Sequence, residues 1–156
     1  MVEAPKIRLI YLDICCFNRP FDDQVDLLVR LQTEAKLHIQ DMIRNGDLTL
    51  AWSAIMDIEN AANPEVNRKM AVMDWKKLSV VDVSVTERVE TSAGAIAVVG
   101  VKPMDALHVA CAIEAQAAYF LTTDKALLRR MTHDNRIQVI DPVDFIRILS
   151  EVKNED

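Results

Sequence analysis

Pro103-Met-Asp-Ala-Leu-His-Val-Ala-Cys-Ala-Ile-Glu-Ala-Gln-Ala-Ala-Tyr-Phe-Leu-Thr-Thr-Asp124 is the stretch on which the fold turns. Pro103 suits a first helical position, where its missing N–H is not needed. Residues 104–118 read as an Ala-rich helix, and 119–122 as a short apolar strand that stops just before Asp124. A helix feeding directly into a buried strand is half of a βαβ unit.

The same alternation extends both ways from this unit. Upstream, 7–12 is a short Ile- and Leu-rich run, read as a buried strand, and Asn18-Arg-Pro20 breaks the chain. Residues 25–44 show helical spacing through Val25, Leu28, Leu31, Ile39 and Met42, which predicts an inward stripe, and Asn45-Gly46 ends it. Strand 48–53 follows, then a short helix over 54–62 that stops at Asn63-Pro64, and a further helix over 65–77. After strand 79–83, Ser84-Val-Thr-Glu87 has the form of a capping box and predicts a helix over 85–98 that Gly100 closes. Downstream of Asp124, the pattern predicts helix 125–131, strand 138–140, and a last helix opened by Asp141-Pro142 and running to about 151. Strands alternating with helices imply right-handed crossovers and a three-layer α/β/α sandwich with a mostly parallel sheet of four to five strands. Ligands of such sheets bind beyond the carboxyl ends of the strands.

Four acids fall at that edge. Asp13 directly follows the first strand, and Asp124 follows the fourth. Asp105 is in the first turn of the helix leading into the fourth strand, so that helix start lies at the same edge. Glu59 is near the start of the helix leaving the second strand. It shares i, i+3, i+4, i+7 spacing with Ile55, Ile58 and Ala62, which predicts an inward face, whereas Asp57 points elsewhere. Each acid also has an ordinary reading. Asp13 can cap a loop, Asp124 can cap the next helix, Asp105 can answer the helix dipole, and Glu59 can form a salt bridge. Together, four carboxylates at one edge repel one another unless a cation is present, and an all-oxygen set suits Mg²⁺ or Mn²⁺.

The bulk numbers fit one globular domain over 1–156. The chain has 156 residues, of which 51% are hydrophobic and 27% charged. A net charge of −6 excludes an ordinary basic nucleic-acid-binding domain. It leaves room for an acidic site neutralised by metal. The N-terminal residues lack a signal-peptide pattern, and the apolar run 93–101 is too short to span a bilayer. Cys15, Cys16 and Cys111 lack zinc spacing and read as reduced, buried thiols of a cytoplasmic protein.

Four motifs in this order resemble the PIN-domain family, the fold of VapC-type toxins and related ribonucleases. They are Ile-Tyr-Leu-Asp13, Ile-Met-Asp-Ile-Glu59-Asn, Lys-Pro-Met-Asp105-Ala-Leu-His-Val-Ala and Phe-Leu-Thr-Thr-Asp124-Lys, and the resemblance covers nearly the whole chain. It implies that Asp13, Glu59, Asp105 and Asp124 hold Mg²⁺ or Mn²⁺ for hydrolysis of RNA phosphodiesters, with Thr122 as a supporting hydroxyl. It also implies a homodimer and an antitoxin protein as partner. The family usually has small hydroxyl or amide residues after the first Asp; here the sequence is Asp13-Ile14-Cys15-Cys16. Haloacid-dehalogenase-like phosphatases would need a second Asp where Cys15 stands. An alternative role is a non-catalytic PIN-like module that binds RNA or protein, and a third is a nuclease or phosphohydrolase acting on DNA.

The remaining candidates are secondary. Arg19 and Lys125 can contact substrate phosphates or be solvated surface cations, and Arg129 and Arg130 can extend a basic rim. His108, one turn after Asp105, can hydrogen-bond that carboxylate or sit as a satisfied core histidine. Cys15 and Cys16 read as packing residues, since no activating base is evident.

Overall fold

The computed structural model describes residues 8–18 and 26–154. The strands are β1 (Arg8–Leu12), β2 (Leu48–Ser53), β3 (Ser79–Val83), β4 (Tyr119–Leu121) and β5 (Gln138–Ile140). The helices are α1 (Ile14–Asn18), α2 (Leu27–Asn45), α3 (Ala54–Ala61), α4 (Val66–Lys76), α5 (Glu87–Ala97), α6 (Pro103–Glu114), α7 (Lys125–Arg130) and α8 (Pro142–Asn154). All strand pairings are parallel, in the order β3-β2-β1-β4-β5. The chain moves outward from β1 to β3, then crosses back to β4 on the other side of β1. Right-handed crossovers in opposite directions put helices on opposite faces. Accordingly α2 packs with α8, and α5 with α6, giving the expected three layers.

The core explains the strand sequences. Ile10, Tyr11, Leu12, Leu50, Trp52, Phe120 and Leu121 are buried, because a parallel sheet is covered on both faces. No described helix is long and apolar enough to cross a membrane.

Four local expectations outside the acid cluster differ from the structure. The stripe predicted for α2 is displaced: Leu28 and Leu31 are each 45% exposed, while Gln32, Ala35, Lys36, Ile39, Gln40 and Ile43 face inward. These polar chains are buried to their tips, which requires partners for the polar ends. Gln32 Nε2 donates to Asp141 Oδ2 at 2.8 Å, and Lys36 Nζ lies 4.2 Å from the centre of the Phe17 ring. Val25 lies outside the described residues.

The helix expected from 85 starts at Glu87, with Thr86 rather than Ser84 as its N-cap. Val85 packs against the core, which keeps the chain extended for longer, and Thr86 Oγ1 accepts from the Val89 N–H. The helix expected to reach 118 ends at Glu114, because Gln116 turns left-handed (φ 62) and the Ala118 N–H donates to Leu9 O, joining the β1 ladder. Finally, no helix was expected at Ile14–Asn18, yet α1 begins directly after Asp13, with the Cys16 N–H donating to Asp13 O at 2.8 Å.

Candidate metal centre

The strand order reverses between β1 and β4, and a cleft opens where sheets of this kind reverse. Asp13 leaves β1 at that point, and its N–H donates to Leu121 O of β4 at 2.9 Å. Asp124 follows three residues after Leu121 and is the N-cap of α7, its Oδ1 accepting from the N–H groups of Ala126 and Leu127. The ordinary reading of Asp124 as a cap is therefore correct, and the cap uses only one of its two oxygens. Asp105 enters from the first turn of α6 and Glu59 from α3. A cavity of about 350 Å³ is lined by Asp13, Glu59, Asp105 and Asp124 together with Ile14, Cys15 and Thr123. A larger hollow of about 610 Å³, bordered by Ala117, Arg136 and Gln138, lies at the opposite end of β4 and β5, and its one acid, Asp134, is already paired with Arg136.

Asp13 is the most enclosed of the four. Thr122 Oγ1 donates to its Oδ2 at 2.8 Å, and the Cys15 thiol donates to the same oxygen at 3.5 Å. Thr122 Oγ1 also accepts from the Asp124 N–H at 3.1 Å, so one hydroxyl ties the two strand-end acids together. Cys15 Sγ in turn accepts from Thr123 Oγ1 at 3.3 Å. Burial pushes the Asp13 carboxyl above its ordinary value; Glu59 adds to this, while His108 and the Thr122 hydroxyl act against it. The Asp105 carboxyl is also raised, first by burial and then by the negative charges of Asp13 and Asp124. Among the described residues, no lysine or arginine forms an ion pair with any of the four acids.

The inward stripe expected on α3 is not present. Ile58 is 57% exposed and Ala62 is exposed, while Ile55, Met56 and Asn60 are buried. The rotation of α3 is set by its ends: Ser53 caps it through the Met56 N–H, and Asn60 Nδ2 donates to Lys69 O of α4. Glu59 is consequently on the flank, half-buried, with Oε2 2.8 Å from His108 Nε2. Asp57 faces away, bonded to Trp52 Nε1 and Lys76 Nζ at 3.0 Å each.

His108 is fully buried and bonds Glu59 rather than Asp105. Its Nδ1 is 2.7 Å from the Tyr11 hydroxyl, which is 2.6 Å from Ser53 Oγ. Tyr11 and Ser53 were not anticipated. The available signal was Tyr11 itself, a hydroxyl between Ile10 and Leu12 in the buried end of β1, two residues before Asp13 and hence on the same face. One oxygen from each of Asp13 and Glu59 and a ring nitrogen of His108 lie within 4.8 Å of one another, a grouping that could hold a metal ion.

The secondary cations are scattered. Arg19 lies outside the described residues, and Lys125 and Arg129 are exposed on α7. Arg130 lies over Gly100 and donates to Val99 O at 3.2 Å. With Lys102 it borders a small recess of about 120 Å³ that shares Asp105 and Asp124 with the acid cavity.

No family model and no curated protein sequence matches the chain. Among solved structures, the fold matches a chain of VapBC2 from Rickettsia felis bound to a DNA fragment from their promoter, at a TM-score of 0.53 and 11% identity, over 84% of this chain and 96% of that one. Identity that low speaks for shared architecture alone. The parallel sheet, its strand order and this match together show a three-layer α/β/α fold shared with that chain, the PIN-like architecture expected from the sequence.

Proposed function

We propose that this protein is a Mg²⁺- or Mn²⁺-dependent ribonuclease of the VapC type, with Asp13, Glu59, Asp105 and Asp124 around the ion. The observation that carries this reading is the convergence of four carboxylates from four separate elements on one cavity, with two of them held above their ordinary values by burial and mutual repulsion. Oxygen donors of this kind fit a hard divalent cation, which would relieve that repulsion. Once bound, such an ion supplies a water of lowered pKa and positive charge against the phosphate.

The chain's own residues do the positioning. Thr122 and Cys15 fix Asp13, the first turn of α7 fixes Asp124, and His108 holds Glu59. Glu59 completes the ligand set or accepts a proton from the attacking water. Lys102 and Arg130, at the edge of the adjoining recess, are placed to meet the phosphates of a bound strand.

Purified protein should cleave single-stranded RNA with Mg²⁺ or Mn²⁺, stop in EDTA, and lose at least a hundredfold in rate on Asp105→Asn. Equal cleavage by that variant would overturn the site. An antitoxin as partner is proposed by analogy with the VapBC2 complex. Val66, Met70 and Met73 expose an apolar row on α4 that could receive one. A homodimer, which the family resemblance implies, is proposed as well, to be tested by sedimentation.

The thiol at Cys15 favours a second reading, a PIN-like module that binds RNA or protein without cutting it. A thiol is a weaker donor to Asp13 than a hydroxyl. That reading predicts RNA binding with no Mn²⁺ heat in calorimetry.

A further inference from the structure

Asp105 and Asp124 each line two hollows. One is the acid cavity, and the other is the recess of about 120 Å³ bordered by Gly100, Lys102, Leu127 and Arg130. Among the described residues, no lysine or arginine lines the acid cavity, whereas the recess holds two such cations. An arginine beside two carboxylates ordinarily pairs with one of them. Arg130 does not. Among the described residues it forms no ion pair, and its Nη1 donates instead to Val99 O at 3.2 Å. Gly100 makes that position possible. It is left-handed (φ 94), and a Cβ at this residue would collide with Arg130 Nη1 and stand 3.0 Å from Cζ. The guanidinium therefore lies against bare backbone. The carbonyl takes one N–H of the fork, and the others remain for a second acceptor.

Size and charge say what that acceptor is. At about 120 Å³ the recess is well below the roughly 300 Å³ of the smallest pockets that enclose a drug-sized molecule, so a nucleobase with its sugar does not enter. A single tetrahedral anion does. Guanidinium and ammonium groups both match phosphate oxygens, the first as a fork and the second as a point charge. The chain carries a net charge of −6, so its overall field repels a nucleic acid, and contact with a strand depends on locally placed cations such as Lys102 and Arg130. The two carboxylates lining the same recess repel an anion until a cation neutralises them, which ties the recess to the centre beside it.

We infer that Lys102 and Arg130 grip one phosphate of the RNA backbone, next to the bond held at the metal centre, and that Gly100 seats Arg130 for this contact. The inference rests on the ribonuclease reading above and deepens it. The nucleotide at this position is read through its phosphate alone and carries no base preference.

The test is binding of dye-labelled hexauridylate and hexaadenylate by fluorescence anisotropy, with Ca²⁺ as the hard cation in place of Mg²⁺. Arg130→Ala should weaken binding about five- to tenfold, by the same factor on both strands, and should reduce the slope of log K against log salt by about 0.7. Lys102→Ala should do the same. Arg129→Ala, the neighbouring cation on α7 that does not line the recess, should stay within about twofold of wild type. Gly100→Ala keeps every charge and displaces the guanidinium, so it should match Arg130→Ala. Its positive φ also strains that variant, so a thermal melt establishes that it folds; if it does not, Arg130→Ala against Arg129→Ala decides. Equal losses in those two variants would assign the effect to the general surface field and overturn the inference, as would an unchanged salt slope or a loss confined to one sequence. In cleavage with Mn²⁺, Arg130→Ala should raise KM more than it lowers kcat. Normal binding by Arg130→Ala beside active wild type removes the recess and leaves the ribonuclease reading standing. Weakened binding by Arg130→Ala beside inactive wild type does the reverse. Wild-type protein that binds neither strand overturns the inference, and the cleavage assay then judges the ribonuclease reading by itself.

Discussion

Thr122 holds two of the acids at once, because its hydroxyl donates to Asp13 and accepts from the Asp124 N–H. Thr122→Val keeps the volume and removes both bonds in a buried setting, which costs about 1–3 kcal/mol in stability. It should also weaken Mn²⁺ binding by roughly ten- to a hundredfold, as measured by calorimetry, while Thr122→Ser stays near wild type.

Asp105 leads to an opposite expectation for stability. Its carboxyl is raised in the folded chain, so above the ordinary aspartate value of about 3.9 the folded state binds more protons than the unfolded one. Stability of the metal-free protein therefore falls as pH rises through that interval and stays lowered at neutral pH. Asp105→Asn removes the penalty. Because the side chain is partly exposed, the gain is on the order of 1 kcal/mol or less, a rise of at most about 2–4 °C in Tm at pH 7 that vanishes near pH 4. Thermal melts in EDTA at the two pH values check this; a lowered Tm at pH 7 would show that Asp105 supports the fold. Asp13, Asp105 and Asp124 were legible as site candidates from sequence because each sits at an element boundary. Glu59 was reached through an inward stripe that does not exist, and its actual tether is His108, 49 positions away in the chain.

At the scale of elements, helix periods were readable while helix rotations and ends were not. The α2 sequence offers Leu28 and Leu31 in line with Ile39, yet the helix turns Gln32, Lys36 and Gln40 inward beside Ile39; Asp141, just before α8, accepts from Gln32, and the Phe17 ring faces the Lys36 ammonium. An amphipathic pattern records only one chain's own asymmetry, and the partner surface decides between competing faces. The end of α6 shows the same limit. Ala115, Ala117 and Ala118 are good helix formers, yet Gln116 takes a left-handed conformation so that Ala118 can reach Leu9. A side chain at such a position costs about 1 kcal/mol relative to glycine. Gln116→Gly should accordingly raise the urea midpoint by an amount worth about 0.5–1 kcal/mol, with part of the gain offset by the freer unfolded chain. A lower midpoint would mean that the Gln116 side chain contributes more than the strain removes.

At the scale of the whole molecule, the centre depends on the crossing from β3 back to β4. That crossing sets β1 beside β4, and so sets Asp13 beside Thr122 and Asp124. An ion bound there links elements from both halves of the chain and should stabilise the fold as a unit. At about 100 times its dissociation constant, Mn²⁺ should add roughly 2.7 kcal/mol, or about 5–10 °C in Tm. Differential scanning calorimetry with and without EDTA measures this, and an unchanged Tm would count against a folded-state site. The sequence by itself determined the alternation of strands and helices, the parallel sheet and the edge on which the acids fall, because those follow from local hydrophobic period and from residues at element boundaries. Only the tertiary structure decided which way α2 and α3 rotate, and that Tyr11 and Ser53 stand behind His108 and Glu59. Those contacts join residues far apart in the chain, and no local pattern encodes which buried hydroxyl meets which buried ring.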